Sequence, residues 1–522
     1  MTPPESETCG VTDARNVHRT FTFTDDAANR EVFHSFSRTT CGECAKLIDG
    51  MRVIRDGQVF LKKNCPQHGK QEALISGDAK WFLRSLQFTS KGSQPHVYST
   101  EVKDGCPTDC GLCPDHEQHS CLPIIEITNH CNLECPICIV QNRHNYEMTV
   151  DEFRGIIDGL IEKEGTLDTV NLSGGEPTMH SQFMELLDIA NRPEISRVSI
   201  STNGLKCATD YAFCEALAER NTYVNLQLDA LDLPGLQSLR GSGDHATLKK
   251  KALLNLEKAG VRTTIVSTVA KGVNDHQIGE CVKLLLENDF ILSLMFQPAA
   301  YTGYGGRHFL PHDPKNTITI PDVVREIETQ TEGQFVQSDF MPLPCSHPGC
   351  FGLTYLLKTE DGYVPFPRFL DLDRYIDAVE NRGTMRPDAR LEGAMRDAID
   401  DLWTSQDAIP DSEKILKTLK GAIRLMYPED EALKIEERVR RGEGVVKTIF
   451  MHAFMDLHTF EVDRIKKCCT HYAMPDGRLM PGCAYNLFYR DKDPRYGGEI
   501  GSTEIWGAAE ESQGTRLPTA AE

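Results

Sequence analysis

The chain of 522 residues contains no run approaching the roughly 18 apolar residues of a membrane-spanning helix, which excludes an integral α-helical membrane protein. Its opening residues, MTPPESETCG, lack the basic-then-apolar plan of a secretory signal. Basic side chains are in short supply: 56 Lys+Arg stand against 77 Asp+Glu, a formal charge of −21. Phosphate-driven nucleic-acid binding needs a basic surface, so no nucleic-acid partner is expected. No internal repeat is visible. Without a secretory signal the expected compartment is the cytoplasm, with at most peripheral membrane contact. A disulfide framework is not expected there. The length suggests about three domain-equivalents, and 40% hydrophobic with 25% charged residues is an ordinary globular composition.

Cysteine, by contrast, is plentiful. There are 19, and they are clustered. In an intracellular setting, clustering points to metal ligation. Cys41, Cys44, Cys65 and His68 form C-x2-C-x20-C-x2-H. Cys106, Cys110, Cys113 and Cys121 form C-x3-C-x2-C-x7-C, and Cys131, Cys135 and Cys138 form C-x3-C-x2-C. Cys345 and Cys350 lie in PCSHPGC, and Cys468, Cys469 and Cys483 in KKCCTHYAMPDGRLMPGC. Cys9, Cys207, Cys214 and Cys281 stand apart.

This distribution divides the chain into a flexible N-terminus (1–30), a Cys3His mononuclear metal domain (31–85), an auxiliary cluster segment (86–121), a core (122–310), a C-terminal helical and auxiliary-cluster domain (311–505) and a disordered tail (506–522). In the second part, MRVIRDGQVFLKK reads as a hairpin turning at Asp56-Gly57. In the core, IIEIT (124–128), TVNLS (169–173), VSIST (198–202), VNLQLDA (224–230), TTIVSTV (263–269) and ILSLMFQ (291–297) read as strands. Helical patterns such as 149–165 lie between them. Six β-then-α units predict an α/β fold with a parallel sheet, open or curved into a partial barrel.

Chemistry in parallel α/β folds collects at the C-terminal ends of strands. Cys131, Cys135 and Cys138 directly follow the first of these strands, where three thiolates can hold one face of a [4Fe–4S] cube and leave one iron open. A zinc knuckle or buried free thiols are the alternatives. The spacing resembles the radical S-adenosylmethionine (SAM) superfamily, and three further motifs carry the resemblance. Gly174-Gly175-Glu176-Pro177 follows the second strand, Thr202-Asn203-Gly204 the third, and Gln227-Leu228-Asp229 ends the fourth. The resemblance implies a partial (βα)6 TIM-type barrel and makes Gly174, Gly175, Glu176, Pro177, Asn203, Gln227 and Asp229 SAM-binding candidates. Glu176 would pair with the SAM ammonium, and Asp229 would lie near the ribose and carboxylate. Ile137 stands where an aromatic residue often packs on the adenine.

Cys106, Cys110, Cys113 and Cys121 suit a fully ligated auxiliary [4Fe–4S] cluster or a four-cysteine zinc site. Cys345, Cys350, Cys468, Cys469 and Cys483 offer five candidates for the four places of a third cluster. One of the adjacent pair is then spare and His471 is a possible substitute, unless these are simply buried thiols. Cys41, Cys44, Cys65 and His68 suit mononuclear zinc or a rubredoxin-like iron in a zinc-ribbon-like fold.

The combination resembles the tetraether lipid synthase-like subfamily, also known as pterin dimethyltransferase-like. That resemblance implies a C–C coupling enzyme acting on unactivated lipid chain ends, fed by an electron donor such as ferredoxin or flavodoxin. The competing expectations are a radical SAM methyltransferase acting on a pterin or other small molecule, and a non-catalytic iron–sulfur electron-transfer protein. Apolar stripes at Leu391, Met395, Ile399 and Leu402, at Ile415, Leu419, Ile423 and Met426, and along 445–460 are expected either to pack as ordinary core or to line an acyl channel. His452, Asp456 and His458 are expected to be structural. Tyr301, Tyr304 and Arg307 in YTGYGGR could face the site, with Arg307 on a phosphate.

Overall fold

The computed structural model describes residues 31–140, 145–241, 243–306, 309, 313–371, 387–404 and 409–496. Cys9, Arg307 and the two terminal segments read from the sequence lie outside the described residues.

The N-terminal part is a four-stranded antiparallel sheet: β1 (Val32–Thr40), β2 (Leu47–Arg55), β3 (Gln58–Cys65) and β4 (Gly69–Ser76). The β2–β3 turn is the expected one. Asp56 and Gly57 both take positive φ, 52° and 72°, which matches the right-handed twist of the flanking strands.

The expected parallel strands form a second sheet. In order they are β5 (Leu122–Thr128), β6 (Val170–Gly174), β7 (Val198–Thr202), β8 (Tyr223–Gln227), β9 (Thr263–Val269) and β10 (Ile291–Pro298), each parallel to the next. β8 ends at Gln227, so Leu228-Asp229 lies in the loop beyond it. Their side chains alternate between two environments. On β8, Val224 and Leu226 are buried under the outer helices, whereas Tyr223 and Asn225 face the interior. The helix Val150–Glu164 shows why the crossovers are local: Thr149 and Glu152 cap it reciprocally, and Gly165 at φ 74° ends it.

The sheet extends past these six strands. Beyond the C-terminal excursion, β13 (Val446–His452) pairs parallel to β10, with antiparallel β11 (Phe351–Thr359) and β12 (Gly362–Pro365) outside it. At the other edge β14 (Thr470–Ala473) pairs parallel to β5, followed by antiparallel β15 (Leu479–Pro481). Among the described residues this gives an eleven-stranded sheet whose two edges do not pair with each other. The helix Ser412–Met426 packs on β11, and Ala389–Thr404 and Ile435–Gly442 pack against that helix.

Two buried ion pairs fasten the parts. Arg52 of β2 donates to Glu461 at 2.7 Å, and Lys63 donates to the carbonyls of Thr40 and His458, each at 2.7 Å; together they dock the small sheet on the 457–461 segment. Inside the barrel, Arg490 donates to both oxygens of Glu126 on β5, at 2.8 and 3.1 Å. The rings of Tyr472, Tyr485 and Tyr496 surround its guanidinium with centroids at 5.2, 4.6 and 5.0 Å. Removing one partner strands the other charge without water. Glu126→Gln is therefore expected to cost about 3–5 kcal/mol of stability, read as a lowered denaturation midpoint of the purified protein.

Candidate cofactor and metal sites

The Cys131–Cys138 loop sits at the C-terminal end of β5. Its conformation is held by Cys138 N–H donating to Cys135 O at 3.0 Å and Leu133 N–H reaching the Cys131 sulfur at 3.4 Å. From the β10 side, Gly306 N–H donates to Cys138 O at 3.3 Å. A Cβ on Gly303 would stand 2.4 Å from Ile139, so the YTGYGG segment does border this loop. Burial pushes the Cys131 thiol up to about 12 and also raises Cys138. Such thiols stay protonated unless a metal takes the charge.

The residues that follow β6 and β7 are drawn against this loop. Gly175 N–H donates to Thr128 O at 2.8 Å and Glu176 N–H to His130 O at 2.7 Å. A Cβ on Gly174 would lie 2.1 Å from Thr128 O, and one on Gly175 2.4 Å from His130 O, so both positions demand glycine. Glu176 is buried and heavily subscribed. Its Oε1 accepts from Thr178 N (3.2 Å), Thr178 Oγ1 (2.7 Å) and Thr202 Oγ1 (2.7 Å), and its Oε2 from Asn203 N at 2.7 Å. The carboxylate expected to meet an ammonium is thus first a clamp between two loops, with Oε2 the less occupied oxygen. Asn203 in turn donates to Asn132 of the cysteine loop at 2.7 Å.

Two cations went unread in the sequence. Arg240 donates from Nε to Asp229 Oδ2 at 2.6 Å and from NH2 to Oδ1 at 2.9 Å, while Thr268 N–H also donates to Asp229 at 2.8 Å. Burial works against the Arg240 charge, but Asp229 keeps it protonated. Asp229 therefore orients a guanidinium beside the cysteine loop. Lys249 donates to Gln227 Oε1 at 2.7 Å and to Asn203 O, and burial draws it down to about 8. No motif flagged either residue. Their signal is the arrangement of charges in three dimensions.

The remaining cysteines regroup relative to the sequence expectation. The Cys121 thiol lies within hydrogen-bonding range of Cys345 and Cys469, which raise its pKa well above the usual value. Cys121 N–H also donates to Cys469 O at 2.9 Å. Cys106, Cys110 and Cys113 remain together, with Cys468 close enough to disfavour charge on Cys110, which burial disfavours first. Cys350 and Cys483 share their surroundings with Cys468 and the buried Arg464, whose Nε reaches the Cys350 sulfur at 3.4 Å. Both cysteines of the adjacent pair thus belong to sulfur clusters, in different groups. His471 is committed elsewhere, with Nδ1 3.2 Å from Ser120 Oγ and Nε2 3.2 Å from His116.

Cys41, Cys44, Cys65 and His68 offer four ligand atoms within 4.8 Å of one another. Against the upward push of burial, the amides of Gln67 and His68 draw Cys65 down to about 7, ready to shed its proton to a metal. The donor set suits tetrahedral zinc or iron. His458 packs on this knuckle, where a Cβ on Gly42 would meet its ring at 2.2 Å.

Below the cofactor loops lies a cavity of about 280 Å³. Met295, Leu353, Phe450 and Met395 line it, and Cys121 and Cys469 form part of its wall. The two apolar helical stripes divide: Leu391, Met395, Leu419 and Met426 face the cavity, while Leu402 and Ile415 pack in core. In the 445–460 run, Val446, Phe450 and His452 line it, whereas Ile449 and Met451 point into the main core. Burial takes His452 down to about 3, so its ring is neutral.

Residues 125–285 match the radical SAM superfamily, and residues 33–77 match the HMPTM N-terminal zinc ribbon domain. The chain is 30% identical over 484 residues to the 7,8-dihydro-6-hydroxymethylpterin dimethyltransferase of Methanocaldococcus jannaschii, covering 87% of this chain and 93% of that one. It is 32% identical over 163 residues to the mycofactocin maturase MftC of Mycolicibacterium smegmatis, 30% of this chain and 40% of that one. Among solved structures, Streptococcus suis SuiB bound to S-adenosylmethionine aligns with a TM-score of 0.34 at 22% identity, over 41% of this chain and 47% of that one.

The glycine cradle yields a direct expectation. Gly175→Ala should weaken SAM binding by about tenfold or more while leaving iron content unchanged, as measured by equilibrium dialysis and iron analysis of the same anaerobic sample.

Proposed function

The chain belongs to the radical SAM superfamily, and from that premise we propose that it joins the ends of unactivated hydrocarbon chains. The observation that carries the proposal is the position of the apolar cavity. On β8, Asn225 lines the cavity and Gln227, two residues on, belongs to the cofactor layer with Lys249. Two residues of strand advance about 6.6 Å. This end of the cavity thus lies one pleat from the residues expected to bind SAM, which supports a substrate end reaching the cofactor from here.

In this reading Cys131, Cys135 and Cys138 hold the catalytic [4Fe–4S] cluster. The Gly174-Gly175 backbone, the Glu176 clamp with Pro177 behind it, Asn203 and Gln227 hold SAM. Arg240, steadied by Asp229, is placed for the SAM carboxylate by a charge-assisted bond. Bound together, cluster and SAM supply a 5′-deoxyadenosyl radical. The apolar part of the wall, with Met295, Leu353 and Phe450, would shield the reacting centre from water. Two further clusters would draw their eight ligands from Cys106, Cys110, Cys113, Cys121, Cys345, Cys350, Cys468, Cys469 and Cys483, and Cys41, Cys44, Cys65 and His68 would hold a mononuclear metal.

The balance is explicit. Each new carbon–carbon bond consumes two methyl C–H bonds, and the hydrogens leave on two molecules of 5′-deoxyadenosine. Two SAM sulfonium C–S bonds break, and two electrons enter from a low-potential donor of the ferredoxin or flavodoxin class. No helix among the described residues is long and apolar enough to cross a membrane. A lipid substrate would be met at a membrane surface or extracted from it.

The name of the Methanocaldococcus relative favours a second reading, methyl transfer to a pterin. One experiment separates the two. Anaerobic protein with SAM and dithionite is expected to release 5′-deoxyadenosine, and expression in a host with saturated isoprenoid or fatty chains to yield lipids dimerised with the loss of two hydrogens per bond. Methylated pterin with an unchanged lipid profile would establish the second reading. An intact cluster that releases no 5′-deoxyadenosine would rule out both.

A further inference from the structure

The helix His245–Ala259 crosses between β8 and β9, which are parallel, so its first turn lies at the end of the sheet where those strands finish and the cysteine loop stands. The bend before it touches that loop: a Cβ on Gly241 would lie 3.7 Å from Glu134 O and 3.9 Å from Pro136 Cδ. The helix buries one stripe, His245, Lys249, Ala252 and Leu256. That stripe packs on the Thr202-Asn203-Gly204 turn, where a Cβ on Gly204 would meet Ala252 at 3.5 Å. Lys249 reaches the cofactor layer through Gln227 Oε1 at 2.7 Å. His245 stands on the same face, one turn or about 5.4 Å nearer the mouth of the barrel. Its side chain folds back over Gly243, where a Cβ would stand 3.1 Å from Nε2. It is only 3% exposed, yet neither Nδ1 nor Nε2 has a hydrogen-bond partner. Buried polar atoms are costly to leave unpaired, and such a group calls for an explanation.

The ribose of SAM carries two neighbouring hydroxyls, each of which donates and accepts. The carboxylate expected beside it is Asp229, and that carboxylate is already full. A carboxylate has about four lone-pair sites. On Asp229, Arg240 fills two of them, Thr268 N–H a third and Gln227 Nε2 the fourth, and no side-chain surface is left exposed. Gln227 Oε1 is taken by Lys249, and the Asn203 side chain by Asn132 and by Leu205 N–H. Of these side chains His245 alone keeps both polar atoms unspent. A neutral imidazole has one donor and one acceptor, the complement of a diol.

We propose that His245 binds the ribose hydroxyls of SAM, one ring nitrogen donating and the other accepting. The inference rests on the SAM site read above and does not depend on which substrate the radical attacks. Asp229 then acts indirectly, as the support of Arg240 and Gln227, and the histidine takes the sugar.

The test uses the full-length, cluster-loaded protein and equilibrium dialysis, with iron content and thermal midpoint measured on the same samples. The ligands are SAM, 5′-methylthioadenosine, the dideoxyribose counterpart of 5′-methylthioadenosine, and methionine. His245→Phe keeps the ring and removes the nitrogens, so it should weaken SAM and 5′-methylthioadenosine by about tenfold. It should leave the dideoxyribose counterpart, methionine, iron content and midpoint unchanged. His245→Gln, which retains a donor and an acceptor, should fall between the phenylalanine variant and the unmodified protein, and serves in its place if the phenylalanine variant loses iron. SAM bound as tightly by both variants as by the unmodified protein overturns the inference and leaves the SAM site standing. Methionine weakened while 5′-methylthioadenosine is spared places His245 at the other end of the cofactor and also overturns it, as does equal weakening of 5′-methylthioadenosine and its dideoxyribose counterpart. If the unmodified protein binds neither SAM nor 5′-methylthioadenosine, the SAM site itself fails, and this inference with it.

Discussion

The pairing of Glu126 with Arg490 is the contact on which the rest of the molecule depends. Both side chains are withdrawn from water, so neither tolerates the loss of the other. Tyr496 OH also donates to Glu126 at 2.7 Å, and Tyr485 OH to Asp493 at 2.7 Å, which leaves few polar atoms of this cluster unsatisfied. Because Glu126 belongs to the first barrel strand, the pair draws the 485–496 segment into the barrel. β14 then lies along β5, Cys469 comes beside Cys121, and the segment that receives Arg52 and Lys63 of the small sheet is fixed in place. Core, sulfur groups and ribbon are parts of one fastening.

The cysteine groups follow from that fastening. Burial raises thiol pKa values, and here it does so for thiols delivered by segments hundreds of residues apart. Protonated, they are merely small apolar groups. Iron–sulfur clusters bound there would take them as thiolates, and loading would then be coupled to packing of the C-terminal part. Arg464 beside Cys350 and Arg240 beside the cysteine loop place positive charge where such thiolates would stand.

The sequence made the repeating parts legible. VSIST and TTIVSTV become β7 and β9 with the expected bounds, and the 149–165 pattern becomes the helix Val150–Glu164, because a two- or 3.6-residue period and a capping box are local signals. The cofactor loops were legible because each follows a strand. Pairing was not. Nothing in KTIFMH or THYA says that one lies beside β10 and the other beside β5, and a four-residue strand leaves little pattern to read. Sequence proximity put Cys121 in a quartet with Cys113, and β5–β14 pairing also sets it beside Cys469 and Cys345, which no local signal announces. Arg240 and Lys249 carried no motif, since their meaning lies in the Asp229 carboxylate and the Gln227 and Asn203 oxygens that the fold brings to them.

The unpaired edges of the large sheet have a consequence for how such an enzyme can change. The residues expected to bind SAM sit at the ends of β5 to β8, whose neighbours are consecutive, and Gly174 and Gly175 among them admit no side chain. The cavity shares these strands on one side, through Ser199 and Asn225, and is closed on the other by β11, β13 and the helices between β12 and β13. That second side can be lengthened, shortened or recharged while β5 to β8 keep their neighbours, so the fold leaves half of the cavity wall free to change.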